Sequence, residues 1–146
     1  MIVIASDHAG VDLKAEILEV VRGAGHEVHD LGPTDSSSVD YPDFGHKVAT
    51  AVVEGETQAG ILICGTGIGM SMTANRHPGV RAALCHDAFT AEMARRHNDA
   101  NVLCIGARST GPGVAEQMVL IFLETPFEGG RHQRRVDLIE IEREDS

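Results

Sequence analysis

Short apolar runs alternate with longer amphipathic segments along nearly the whole chain, and this alternation restricts the fold more than any other sequence feature. Five of the runs have the length and composition of buried strands, and the segments between them carry apolar residues at helical spacing. Strands that alternate with helices form a parallel sheet with helices on both faces. The pattern therefore predicts one α/β domain spanning residues 1–146.

The predicted architecture is a three-layer α/β/α sandwich around a five-stranded, parallel, Rossmann-like sheet. The predicted strands cover residues 2–5, 27–31, 61–64, 81–85 and 102–105. The predicted helices cover residues 11–22, 44–53, a segment starting near 69, a segment capped by Asp87 and ending near 96, then 111–123 and about 131–143.

Composition limits the classes of binding partner and the cellular compartment that are expected for this chain. The chain has 12 basic and 22 acidic residues, for a net charge of −10, which argues against nucleic acid and against an anionic membrane surface as partners. Cys64, Cys85 and Cys104 show no Cys-x-x-Cys spacing and are typical of reduced thiols in a cytoplasmic protein. The N-terminus lacks a signal-peptide pattern, and the longest apolar run, 118–123, is too short to span a membrane.

A glycine-rich stretch stands at the end of the third predicted strand, the edge at which such folds bind ligands. Residues 64–69 read Cys-Gly-Thr-Gly-Ile-Gly and lead into a helix. Glycines allow a tight turn whose N–H groups converge on one spot, where a phosphate or a developing oxyanion can bind. A purely structural turn is equally compatible, and the spacing matches neither the dinucleotide fingerprint nor a P-loop.

Cys64 lies at the lip of this turn, next to the start of a helix, where a thiolate is stabilised as a base or nucleophile. The alternative is a small core residue that ends a strand, which is our interpretation of Cys85 and Cys104.

Asp7 and His8 follow the first strand and are expected to face the same crevice. An aspartate N-cap beside an exposed histidine explains these two residues equally well.

The only basic concentration is the run Arg-His-Gln-Arg-Arg at 131–135. Arg131 and Arg135 are four residues apart and share a helix face, which suits a phosphate held from two sides. A solvated helix end, balanced by the acidic tail, is the alternative.

A histidine at the end of the fourth helical segment is harder to interpret. Phe89, Met93 and His97 fall at four-residue intervals, which predicts that His97 continues an apolar stripe and is packed. The other histidines show no metal-ligand spacing with cysteines or carboxylates, so no metal site is predicted.

Five motifs occur in order along the chain: Ser-Asp-His-Ala-Gly at 6–10, Asp-Tyr-Pro-Asp at 40–43, Ile-Cys-Gly-Thr-Gly-Ile-Gly at 63–69, His-Asn-Asp-Ala-Asn-Val at 97–102 and Glu-Gly-Gly-Arg-His at 128–132. Together they closely resemble ribose-5-phosphate isomerase type B, a family that includes galactose-6-phosphate and allose-6-phosphate isomerases. Some members lack the cysteine and use a glutamate just after the glycine loop. That position is Met70 here, so the chain resembles the cysteine branch.

The resemblance implies interconversion of ribose 5-phosphate and ribulose 5-phosphate through a cis-enediolate, with no metal or other cofactor. It implies that Cys64 is the base at carbon, that Thr66 helps hold charge on oxygen, and that His97 opens the furanose ring. It assigns substrate or phosphate contacts to Asp7, His8, Gly65, Thr66, Gly67, Ile68, Gly69, Asn98, Arg108, Arg131 and Arg135. The family's sheet implies the strand order 2-1-3-5-4.

Other functions stay open at this point. The substrate could be galactose 6-phosphate, allose 6-phosphate or a tetrose phosphate, because no loop pattern distinguishes sugars by their number of carbon atoms. A nucleotide-binding module would use the glycine loop for a pyrophosphate and Asp87 for a ribose hydroxyl. A sensor that binds sugar phosphates without turnover is a third possibility, against which Cys64 argues.

The sequence also predicts assembly. His97 is expected at the end of a helix that runs back across the sheet, far from the carboxyl edge that carries Cys64. Residues 118–123 make one helix apolar around most of its circumference, which indicates either deep burial or a subunit contact. Both features fit a homodimer, or a dimer of dimers, in which His97 of one chain reaches the Cys64 pocket of the other, as the family's dimeric sites suggest.

Overall fold

The computed structural model describes residues 1–141. Five parallel strands form one sheet with the order β2-β1-β3-β5-β4, so the predicted fold class and strand order are confirmed. The strands are β1 (Ile2–Ser6), β2 (Val28–Asp30), β3 (Ala59–Cys64), β4 (Ala82–Leu84) and β5 (Val102–Gly106).

The helices lie between and after the strands, as the periodicity predicts. They are α1 (Val11–Gly23), α2 (Tyr41–Val53), α3 (Ile68–Ala74), α4 (Ala88–Arg96), α5 (Pro112–Glu124) and α6 (Arg131–Asp137), and a short 3₁₀ turn (His8–Gly10) precedes α1. None of them is long and apolar enough to cross a membrane.

The predicted extent of the last helix is wrong. Helix α6 ends at Asp137 and not near residue 143, and residues 142–146 lie outside the described part of the chain. The segment after α6 is fixed by a tertiary contact, in which the Gly79 N–H donates to the Glu140 carboxylate at 2.9 Å. That contact draws the chain against the loop before β4, whereas propensity alone favours further helical turns.

The two faces of the sheet bury different side chains because residues alternate along each strand. One cluster packs β1, β3 and β5 against α1, α4 and α5, and the other packs the same strands against α2 and α3. Cys85 and Cys104 are core residues, as predicted, and burial raises the pKa of both thiols. Cys64 belongs to the α2 and α3 side of the sheet.

Helix α4 does not bury the predicted stripe. Its buried residues are Ala91 and Ala94, whereas Phe89 is 67% exposed and His97 is only partly covered. Small alanine side chains let α4 pack closely on α5, so the larger residues lie towards solvent. On α5 itself Met118, Val119 and Phe122 are buried, while residues 120, 121 and 123 remain partly exposed.

Candidate active site

A cleft of about 400 Å³ opens at the carboxyl edge of the sheet. It is lined by Asp7, His8, Ala9, Tyr41, Cys64, Gly65, Thr66, Ile68, Gly69, Met72 and Arg108. Strands β1 and β3, which end at this cleft, are neighbours, and the chain leaves them towards opposite edges of the sheet. Open α/β sheets bind ligands at such a switch point, so the topology and the predicted residues indicate the same place.

Cys64 is the last residue of β3 and is 5% exposed. The N–H of Gly67 donates to its sulfur at 3.1 Å. A backbone donor aimed at sulfur stabilises negative charge there, because the donor is held in place by the turn and needs no reorganisation. Cys64 also lines the cleft, which distinguishes it from the two core cysteines.

The glycines of the turn serve different purposes. Gly67 has φ 80°, and a Cβ there would lie 2.5 Å from the Leu84 side chain and 3.1 Å from the Ile105 carbonyl carbon. A Cβ on Gly69 would lie 2.6 Å from the Tyr41 ring, so this glycine lets the tyrosine cover the turn. Tyr41 had no role predicted from the sequence, although its motif is among the five that carry the resemblance.

We expect Gly67→Ala to lower the free energy of unfolding by about 2–4 kcal/mol, because the left-handed backbone and the packing clash both oppose a methyl group. Gly23→Ala is the matched control, since Gly23 ends α1 without a left-handed backbone, and a methyl group there would meet nothing within 4 Å. Urea unfolding followed by circular dichroism measures both variants. Equal midpoints for Gly67→Ala and the unsubstituted protein would contradict this account of the turn.

Asp7 combines the two interpretations that the sequence left open. Its Oδ1 accepts hydrogen bonds from the Ala9 N–H at 2.9 Å and the Gly10 N–H at 3.1 Å, so it caps the 3₁₀ turn and also borders the cleft. His8 accepts the Val39 N–H at Nδ1, at 3.2 Å. With Nδ1 used as an acceptor, the neutral ring carries its proton on Nε2 and can donate from there.

Arg108 supplies positive charge to the cleft. Its backbone N–H donates to the Gly65 carbonyl at 2.9 Å, and its side chain lies 3.7 Å from the position of a Cβ on Gly65. The loop after β5 is thereby fixed against the loop after β3. A guanidinium in this position provides the donors that a phosphate or carboxylate requires.

The remaining predicted site residues lie elsewhere in the subunit. His97 is the C-cap of α4, which runs back from the carboxyl edge over about 14 Å. Asn98 lines a separate cavity of about 450 Å³ beside the C-terminal segment. Arg131 and Arg135 are exposed on α6, and neither forms an ion pair within residues 1–141.

His97 lies in a cluster that sequence spacing did not reveal, because the other two members, Glu128 and His132, follow it by 31 and 35 residues. Its ring stacks on that of His132, with centroids 4.3 Å apart and planes at 14°. Glu128 faces both rings, 3.8 Å from His97 Nε2 and 3.7 Å from His132 Nε2. Burial lowers the pKa of His132, and the charges of His97 and Arg131 lower it further.

The same three side chains bring potential metal-ligand atoms within 4.8 Å of one another. An imidazole binds a metal through a lone pair in its ring plane, and two nearly parallel stacked rings cannot both direct that lone pair at one ion. One ring would have to rotate out of the stack before a metal could bind. The stacked arrangement therefore favours an acid–base role over a metal centre.

The Asp87 side chain caps the N-terminus of α4, as predicted from the sequence. Its Oδ1 accepts from the Thr90 N–H at 2.8 Å and from the Thr90 hydroxyl at 2.7 Å, and these hydrogen bonds lower the pKa of the carboxyl group. Strand β4, which precedes it, is an edge strand separated from β3 by β5. Asp87 does not line the cleft, which removes the ribose contact that a nucleotide-binding module would need.

These features define a class: parallel α/β proteins in which a buried thiol and a glycine-rich turn meet at the switch point of the sheet. A family model described as Ribose/Galactose Isomerase matches residues 2–139, and the chain belongs to that family.

Curated and solved relatives cover nearly the whole chain. A putative sugar phosphate isomerase of Bacillus subtilis is 51% identical over 94% of this chain and 93% of its own. Ribose-5-phosphate isomerase B of Escherichia coli is 46% identical over 91% of this chain and 89% of its own. The structure of Clostridium thermocellum ribose-5-phosphate isomerase B superposes with a TM-score of 0.93 at 51% identity, covering 94% of this chain and 93% of that one.

Proposed function

We propose that this protein interconverts ribose 5-phosphate and ribulose 5-phosphate, with Cys64 as the base that moves hydrogen between C2 and C1. The observation that carries the proposal is Cys64, which lines the cleft and whose sulfur accepts the Gly67 N–H at 3.1 Å. The 46% identity to the Escherichia coli ribose-5-phosphate isomerase B supports the choice of substrate.

The reaction requires a proton transfer at carbon. The Cys64 thiolate takes the proton from C2 of the open-chain aldose, and the C–H electron pair forms the C1–C2 double bond of a cis-enediolate. In the same step the C1=O π pair moves onto O1, which carries the negative charge. The hydroxyl on C2 then passes its proton to O1, its oxygen forms the C2=O bond of the ketose, and the electron pair of the C1–C2 double bond takes the proton back from the Cys64 thiol at C1. A base fixed beside the turn can serve both carbons without moving, because C1 and C2 are adjacent.

Charge on the enediolate oxygen needs donors that are already in place. The Gly67 N–H is used by the Cys64 sulfur, and the Ile68 N–H donates to the Thr66 hydroxyl at 3.3 Å. We assign the oxyanion to the Thr66 hydroxyl and the Gly69 N–H, at the opening of α3, where N–H groups have no intrahelical acceptor. Asp7, which also lines the cleft, positions a sugar hydroxyl.

The phosphate contacts are divided between the cleft and α6. His8 and Arg108 lie in the cleft, whereas Arg131 and Arg135 are exposed on one face of α6. We propose that Arg131 and Arg135 reach the phosphate from a second subunit.

We expect Arg131→Ala and Arg135→Ala each to weaken binding of phosphorylated ligands by ~1.5–3 kcal/mol, because charge-assisted hydrogen bonds are lost. Arg22→Ala is the control, since Arg22 is an exposed arginine at the end of α1 and lies outside both the cleft and α6. Isothermal titration with inorganic phosphate and with ribose 5-phosphate measures the effect. If all three variants bind phosphate and ribose 5-phosphate as tightly as the unsubstituted protein does, the basic run at 131–135 is a solvated helix end and not a phosphate site.

A symmetric dimer, alone or paired into a tetramer, completes the proposed site. The cleft side carries Cys64 and Arg108, and the opposite edge carries His97, Asn98 and the α6 arginines. Ile68 and Met72 are exposed by 46% and 63% at the rim of the cleft, which supports contact with another subunit there. Two chains related by a two-fold axis would form two such composite sites.

A panel of sugar phosphates tests the function. We expect kcat/KM for ribose 5-phosphate to exceed the values for galactose 6-phosphate, allose 6-phosphate and erythrose 4-phosphate, as measured by ketose formation. A higher value for another sugar would reassign the substrate within the same chemistry. Binding without turnover of any of them would indicate a sensor and contradict the isomerase proposal.

We further propose a cytoplasmic location and a place in the pentose phosphate pathway. The proposed mechanism needs a reduced Cys64, and all three cysteines are free thiols in the structure. A reducing compartment maintains thiols in that state.

A further inference from the structure

Backbone groups of the connection between α5 and α6 form hydrogen bonds with the end of α4. The Arg95 guanidinium donates to the Thr125 carbonyl at 3.1 Å, and the Glu128 N–H donates to the Arg96 carbonyl at 3.0 Å. These two contacts fix the Glu128 backbone beside His97, the next residue of the chain after Arg96.

The Glu128 side chain faces two stacked imidazoles. Its two carboxylate oxygens lie 3.8 Å from His97 Nε2 and 3.7 Å from His132 Nε2. Gly129 and Gly130 follow with φ 68° and 53°, a left-handed pair that reverses the chain so that α6 starts at once. The reversal places His132 against His97, and the stack holds the His97 ring from one side while the carboxylate faces its edge.

The two histidines differ in their exposure. The His132 side chain is 10% exposed, and burial together with the charges of His97, Arg131 and Arg135 lowers its pKa despite the opposing charge of Glu128. Burial and the neighbouring positive charges therefore favour the neutral form of His132. The His97 side chain is 40% exposed and is free to meet a ligand.

We propose that Glu128 is a positioning residue, whose carboxylate orients the His97 imidazole and stabilises it when it carries the proton exchanged with the sugar ring. This proposal rests on the ring-opening role of His97 in the proposed function. Ring opening breaks the C1–O4 bond, delivers a proton to O4 and removes one from the anomeric hydroxyl. A carboxylate beside the imidazole stabilises the cation that forms during that transfer, as an orienting carboxylate does in hydrolytic triads.

Comparison of a cyclic and an acyclic substrate tests the assignment. Ribose 5-phosphate is mainly a furanose, whereas ribulose 5-phosphate cannot close a furanose ring, because its C5 hydroxyl is esterified. We expect Glu128→Gln to lower kcat for ribose 5-phosphate roughly 10–100-fold with KM changed by less than about threefold. Deuterium exchange at C1 of ribulose 5-phosphate in D₂O requires the carbon base and the oxyanion donors but no ring opening. We expect it to stay within about threefold of the unsubstituted protein.

Two further variants separate positioning from a structural role. Glu128→Asp keeps the charge and is expected to recover part of the lost kcat. Glu124→Gln removes the same charge from an exposed position at the end of α5, outside the histidine cluster, and is expected to leave kcat unchanged. Full activity of Glu128→Gln would overturn the proposal, and so would a parallel loss of kcat and of C1 exchange. If Glu128→Gln does not fold, Glu128→Asp becomes the test, and its failure to recover any kcat would overturn the proposal. Absence of turnover in the unsubstituted protein would instead contradict the proposed function.

Discussion

Replacement of Cys64 by serine is expected to reduce kcat for ribose 5-phosphate by about 10²–10⁴-fold, the contribution typical of a positioned acid–base group. Serine fills nearly the same volume and can still accept the Gly67 N–H, so the turn should keep its shape. A hydroxyl does not ionise near neutral pH, however, and the base at carbon is lost. Coupled assays of ketose formation give kcat, and phosphate titration tests whether the binding site survives.

Cys85→Ser is the control, because Cys85 follows β4 in the core and lies outside the cleft. We expect it to keep kcat while losing some stability. Thiol alkylation adds an independent measurement: Cys64 should react and substrate should slow the reaction, whereas burial and the raised pKa keep Cys85 and Cys104 unreactive. Serine variants of Cys64 with near-normal kcat, or alkylation confined to the core cysteines, would contradict the assignment.

Refolding Cys64→Ala and His97→Ala chains together is expected to restore about a quarter of the activity of the unsubstituted protein. Random pairing makes half of the dimers mixed, and each mixed dimer has one intact composite site and one that lacks both groups. The physical basis is the separation of Cys64, at the carboxyl edge, from His97, at the far end of α4.

Each parent refolded alone provides the baseline, and differently tagged chains verify that mixed dimers are present. Cys64 lies at the cleft-facing margin of its core cluster and His97 lies outside both clusters, so folding should be preserved in each variant. Mixed dimers with no more activity than the parents would show that each active site lies within one chain.

The sequence predicted the sheet and the residues at its carboxyl edge correctly because both depend on local patterns. Buried apolar runs determine the strands, and parallel connections leave their carboxyl ends at one edge. The clustering of Asp7, Cys64 and Arg108 follows from that rule alone. Glycine spacing likewise predicted a tight turn at 65–69, and the structure supplies the specific reasons at Gly67 and Gly69.

The errors arose where packing between elements overrides periodicity. Phe89, Met93 and His97 have the spacing of a buried stripe, yet α4 buries Ala91 and Ala94 because small residues allow closer contact with α5. The last helix ends at Asp137, where a hydrogen bond from the Gly79 N–H to Glu140 fixes a different path.

Local patterns in the amino-acid sequence were sufficient for the α/β/α architecture, for the candidate base and for the edge at which it lies, since each follows from neighbours within a few residues. The meeting of distant side chains required tertiary packing. Nothing in the spacing of His97, Glu128 and His132 predicts a stacked pair facing one carboxylate. That cluster depends on how the α5–α6 connection docks on the end of α4, and such docking is set by long-range hydrogen bonds that local patterns do not encode.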